Sequence, residues 1–229
     1  MANEWVAVDW KTSEKLGNLE LFLGLMDIVA LVLIYIIFPS QVTLVLLSGI
    51  YILIWYIMRI SGTVPTATFG KNGKVALAML FVGILLGMVF TVFSLQSTSL
   101  LFLASTTPTA VDYTTDWNLV WIGAFFAVNE ELLWRDALAP AFYKFTHTKW
   151  FSIILANVLF ATAHFAAAMA TLGAKFGVVT PTLLLLSLFG DFAFGMLCSV
   201  GNGLGKTSTF GKGLHIANNL SRLLSGKTL

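Results

Sequence analysis

Charge is scarce in this chain: Asp, Glu, Lys and Arg together make up 10% of its 229 residues, against about 25% in a soluble domain. That scarcity excludes an extensive water-facing surface, and no polar stretch is long enough to build a separate aqueous domain. The formal net charge of +2 is too small to attract nucleic acid. Cys198 is the single cysteine and lies inside an apolar segment, so it forms no disulfide within the chain and reads as a small packing residue. A secretory leader is also missing from the opening residues. Positions 1–20 mix Lys11 and Lys15 with Glu4, Asp9, Glu14 and Glu20, so the first apolar run is expected to stay as a membrane helix.

What is abundant is apolar: 58% of the residues are hydrophobic, and the mean hydropathy is +0.87. A spanning helix needs about 20 apolar residues. Residues 28–58 carry no charge and accommodate two short spans, 21–38 and 41–58, broken at Pro39-Ser40-Gln41. A third span is predicted over 75–95, followed by a Ser/Thr-rich connection at 96–115. Asp116 is a suitable N-cap for a fourth span that begins at Trp117, runs past Arg135 and stops or kinks near Pro140. The fifth, about 150–172, is rich in alanine over 161–170, which suits close packing in lipid. Thr180-Pro181 opens the sixth, a capping residue followed by proline in the first turn, which reaches about Val200. A glycine-rich loop at 201–213 leads to a short final helix, 214–224. The expected architecture is therefore all-α: a polytopic transmembrane bundle of about seven membrane helices, one integral membrane domain over 1–229, with no internal repeat.

Basic residues orient it. With the N-terminus inside, inner segments hold Lys11, Lys15, Arg59, Lys71, Lys74, Lys144, Lys149, Lys206 and Lys212. Outside lies Lys175, with Arg222 and Lys227 in the tail. The chain is expected in the cell membrane, or in the endoplasmic reticulum membrane if it is eukaryotic, with its N-terminus in the cytoplasm.

Ionisable groups in membrane helices cost about 2.5–3.5 kcal/mol each on insertion scales and are functional suspects by default. There is no acidic residue between Asp27 and Asp112; then Glu130 and Glu131 stand side by side, with Arg135 close behind. Positions i and i+4 share a helix face, so Glu131 and Arg135 are expected to pair, as a buried carboxylate requires. Glu130 is rotated about 100° from Glu131 and has Trp134, not a cation, one turn on; that suits proton transfer near neutral pH. The plainer reading is two carboxylates reaching headgroup water from a helix end. His164 sits inside the fifth span; His215 begins His-Ile-Ala-Asn-Asn, which puts Asn219 one turn later. Each alone reads as a packing residue, and His147 as a loop residue. Together, a carboxylate pair, an arginine, two histidines and an asparagine on three helices are affordable only around a shared polar cavity between the later helices. Such a set is what hydrolysis of a carbonyl compound needs: a base for water and fixed donors for the oxyanion.

These residues form Glu-Glu-x-x-x-Arg (Glu130, Glu131, Arg135), Phe-x-x-x-His (Phe160, His164) and His-x-x-x-Asn (His215, Asn219), on successive hydrophobic helices. The combination and its order resemble the CPBP family, which comprises CAAX prenyl proteases of the Ras-converting type with bacteriocin-processing and abortive-infection proteins. The motif-bearing core spans 117–224. The resemblance implies an intramembrane endopeptidase with a site open to the cytosol, acting on a membrane-associated protein or peptide, prenylated in the CAAX case. It implies that Glu130 and His164 activate water and that His215 and Asn219 form the oxyanion hole. Glu131 and Arg135 would orient and balance the site, and Phe160 would shape the cavity.

No metal or other cofactor is favoured, because a His–Asn pair on one face reads as donors and His-Glu-x-x-His is missing. Zinc held by Glu130, His164 and His215 is the alternative. Two other functions compete: a non-catalytic immunity or partner-binding protein of the same fold, and a transporter with an intramembrane relay. The lack of repeated halves disfavours the transporter.

Overall fold

The computed structural model of the chain describes residues 72–103, 117–176 and 181–224, together with Leu46, Gly49, Ile50 and Leu53. The expected spans at 21–38 and 41–58 otherwise lie outside the described residues, as does Asp116. Every described element is helical. We number them α1 (Gly73–Leu103), α2 (Trp117–Glu131), α3 (Ala139–Thr146), α4 (Lys149–Phe176), α5 (Pro181–Gly205) and α6 (Thr209–Leu224), with a π-helical segment, Leu132–Leu138, joining α2 to α3.

Two stretches, Gly73–Thr91 and Leu185–Gly205, are long and apolar enough to cross a membrane, and Lys149–Phe165 is a shorter apolar helix. On α1 the exposed face is Leu77, Phe81, Val82, Leu85, Leu86, Met88 and Val89. A continuous apolar face of that kind is stable against lipid and not against water.

The opposite face of α1 is built for close approach to α6. Gly83-x-x-x-Gly87 presents bare backbone to it: a Cβ on Gly87 would meet the carbonyl of Leu214 and, at 2.8 Å, the Cβ of Ala217. From the other side, a Cβ on Gly213 would meet the carbonyl of Leu80. Small residues are how membrane helices gain packing energy when burial from water offers none. Polar contacts close both ends of this seam, Thr209 Oγ1 to the carbonyl of Ala76 at 2.6 Å and Thr91 Oγ1 to Asn218 Oδ1 at 3.1 Å. Gly87→Val is expected to lower the thermal midpoint in detergent, an overpacking of about 1–3 kcal/mol or more. Gly190→Ala, whose Cβ enters open space, should leave the midpoint level or raise it.

Three sequence expectations change here. Helix α1 runs on to Leu103, into the stretch expected as a Ser/Thr-rich connection from residue 96. Of the two outcomes expected near Pro140, a stop or a kink, the fourth span does not stop. The chain stays helical from Trp117 to Thr146, with Pro140 in the first turn of α3. A proline ring clashes with the carbonyl four residues back, here that of Asp136, and the wide turn over Leu132–Leu138 carries that carbonyl away. The glycine-rich stretch at 201–213 is not a loop. Helix α5 runs to Gly205 and α6 starts at Thr209, because these glycines serve helix contact: a Cβ on Gly201 would strike the Phe210 ring, and one on Gly211 would meet Glu131 Oε2 at 2.5 Å. Only Lys206, Thr207 and Ser208 turn the chain, with Lys206 at φ 51°.

Candidate active site

The continuous helix from Trp117 to Thr146 puts Glu130 and Glu131 near its middle. His164 lies midway along α4 and His215 within α6. The three motifs converge. Glu130 sits between the two imidazoles, with Oε1 3.5 Å from His164 Nε2 and Oε2 3.3 Å from His215 Nε2. His215 turns its other nitrogen to Glu131, with Nδ1 3.0 Å from Oε1. The same oxygen lies 3.0 Å from Arg135 Nη1, so the i,i+4 pair forms. Burial is graded: the His164 side chain is 26% exposed and that of Glu130 only 2%.

Hydrogen-bond partners decide where one proton sits. His164 Nδ1 lies 2.9 Å from the backbone carbonyl of Phe160. A carbonyl can only accept, so Nδ1 carries hydrogen, and in neutral His164 the Nε2 facing Glu130 is a bare lone pair. His215 differs, because both its nitrogens face carboxylate oxygens. The two imidazoles thus have unlike surroundings and suit unlike roles.

Arg135 is held from three sides. Its Nη2 donates to Asn157 Oδ1 at 3.3 Å, its guanidinium lies 4.2 Å from the centre of the Phe160 ring, and Glu131 is its ionic partner. Asn157 is itself fixed by donating to the Ile153 carbonyl at 2.9 Å and to Ser199 Oγ at 3.0 Å. Gly195 leaves room for this junction, since a Cβ there would meet Arg135 Nη2 at 2.8 Å. Phe160 is fully buried and touches much of the site: His164 at 4.1 Å between ring centres, Trp134 edge-on at 5.8 Å and His215 edge-on at 6.1 Å. Several buried atoms here lack hydrogen-bond partners among the described residues, including Arg135 Nε, Glu131 Oε2, Trp134 Nε1 and Asn202 Nδ2. Unused polar capacity of that kind calls for a role or a guest.

Asn219 stands one turn beyond His215 on the α2–α6 interface, where its Nδ2 donates to the Gly123 carbonyl at 3.2 Å. It is not brought against Glu130 or His164 by any contact of that kind. His147 is exposed, closing α3 at φ 50°. Among the described residues no three His, Cys, Asp or Glu side chains are grouped so as to hold a metal ion.

Sequence reasoning missed Asn157, Ser199 and Asn202, which are neutral and inconspicuous in apolar runs. It also missed Asp136, and it counted Lys212 as a loop residue. Both are buried, and they pair at 2.9 Å. The signal for Asp136 was its place in a membrane helix, four residues before a proline. Asp191, near the middle of α5 and accepting from Ser187 Oγ at 3.4 Å, was overlooked in the same way.

Helices with exposed apolar sides and a core of interlocked carboxylates and imidazoles define a membrane protein built around a buried cluster of ionisable groups. Residues 113–221 match the family model described as Type II CAAX prenyl endopeptidase Rce1-like. The match takes in every motif residue from Glu130 to Asn219, and the CPBP resemblance is thereby borne out, a likeness to membrane-embedded proteases of the CAAX type. Residues 1–112 lie outside the match. No curated protein and no solved structure matches the chain.

Proposed function

We propose that the chain is an intramembrane endopeptidase that removes the C-terminal tripeptide from a prenylated CAAX protein. The observation that carries this reading is the placement of Glu130 between two imidazoles of unlike character. Glu130 Oε1 and the bare Nε2 of His164 are two acceptors 3.5 Å apart. Two such acceptors bind the two hydrogens of one water and leave its lone pair directed outward. As that water attacks the scissile carbonyl, Glu130 takes its proton. His215, whose Nε2 faces Glu130, donates to the oxyanion, helped by the second N–H of Asn219. The proton on Glu130 then passes to the leaving amine as the C–N bond breaks.

This chemistry needs no metal, and we propose that none is used. The basic residues favour a cytoplasmic N-terminus: with Lys212 withdrawn into the core, the inner side still holds eight lysines and arginines against three. The test is the chain in liposomes with a prenylated CAAX peptide, followed by mass spectrometry. Release of the terminal tripeptide is expected, at a rate that chelator treatment does not change. Failure to cut any membrane-associated peptide would overturn the endopeptidase reading. A stoichiometric zinc whose removal and return switch activity off and on would overturn the metal-free part.

A further inference from the structure

A second buried charge cluster lies beside the site and takes no part in the chemistry above. Lys212 Nζ donates to Asp136 Oδ2 at 2.9 Å and to Ser208 Oγ at 2.6 Å, and Ser208 Oγ in turn donates to the same Asp136 oxygen at 3.2 Å. All three side chains are buried. Ser208 immediately precedes α6, so the Asp136 carboxylate lies against that helix's positive end, where an anion is favoured. Lys212 comes three residues before His215, on the same face of α6.

The π segment makes this contact geometrically available. In an α-helix, Asp136 would be turned about 140° from Glu131 and could not face α6 alongside it. A turn closed by i→i+5 bonds brings Arg135 and Asp136 round together, the first onto Glu131 and the second onto Lys212. The long α1–α6 seam, by contrast, is lined by Gly83, Gly87 and Gly213, and the polar contacts at its two ends are neutral hydrogen bonds, Thr209 to the Ala76 carbonyl and Thr91 to Asn218, with no charge pair among them. A buried ion pair is a poor device for stability, since apolar replacements often do as well; its best-attested use is to fix register.

We propose that Asp136 and Lys212 form a positioning clamp that sets the rotation of α6, and with it the aim of His215 at Glu130 and Glu131. The catalytic consequence rests on the endopeptidase reading; the positional one does not. Removing both charges keeps the core neutral, so Asp136→Leu with Lys212→Met folds and keeps its thermal midpoint in detergent. The ring-nitrogen NMR signals of His215 then move, while those of exposed His147 do not. On the prenylated CAAX peptide, kcat falls by about 10- to 100-fold, the scale of a misplacement of about 1 Å, with KM little changed. Ser208→Ala, a milder cut in the same triangle, gives a smaller loss of the same kind and serves if the paired variant does not fold. Wild-type His215 signals in these variants would overturn the clamp. If the wild-type protein cleaves no peptide, the endopeptidase reading fails and the histidine signals still decide the clamp.

Discussion

Glu130→Gln is expected to lower kcat on a membrane-bound peptide by at least about 100-fold, and by up to ~10⁴-fold, the range supplied by a positioned acid or base. Glutamine keeps the shape of the side chain but cannot accept the proton of water, and its amide meets two imidazole nitrogens where a carboxylate stood. His164→Ala should cost a similar factor by removing the second acceptor for water. The two losses should not multiply. Groups that act on one water as a unit are lost together, so the double variant should be little worse than either single one. Product formation by mass spectrometry measures the rate, and the thermal midpoint in detergent checks that folding survives. Full activity in both single variants would rule out the assigned roles.

The second large effect concerns stability. Arg135→Met should lower it by roughly 3–5 kcal/mol, the usual result of removing one partner from a buried ion pair. Glu131 is fully buried and would keep only His215 Nδ1 as a charged neighbour at contact distance. The guanidinium also covers the face of Phe160 at 4.2 Å, a contact worth about 2 kcal/mol when desolvated. Glu131→Gln combined with Arg135→Met should recover most of the stability, because the broken pair leaves no unpaired charge, yet activity should stay low because His215 loses the carboxylate that orients its Nδ1. Thermal unfolding read beside peptide cleavage separates these two effects.

The membrane character and the grouping of the ionisable residues were legible in the sequence, because both depend on residues that are out of place. A Glu pair, an arginine and two histidines in apolar helices stand out by their cost, and i,i+4 spacing is enough to pair Glu131 with Arg135. The sequence was silent on what distance along the chain hides. Where Glu130 falls along its helix depends on whether the helix continues past Pro140, and proline was read as a stop or a kink where the chain widens into a π turn and goes on. Glycine was likewise read by its habit in water. Gly201 and Gly211 looked like a loop, whereas between lipid-embedded helices a missing Cβ permits contact, here with Phe210 and Glu131. Lys212 was misread for the same reason: placed in that loop it counted toward orientation, while in α6 it is a buried partner of Asp136. Asn157 carried no visible signal, since nothing in its neighbourhood of sequence points to Arg135, 22 positions away.

The central claim is that one carboxylate from α2 touches imidazoles from two other helices. The most direct test is the histidine ring-nitrogen NMR spectrum of the wild-type protein against Glu130→Gln, in detergent and without substrate. With three histidines in the chain, the spectrum is simple to assign. The signals of His164 and His215 should both shift, and that of His147 should stay fixed. A spectrum in which either His164 or His215 ignores the substitution would mean that the three helices do not share a site.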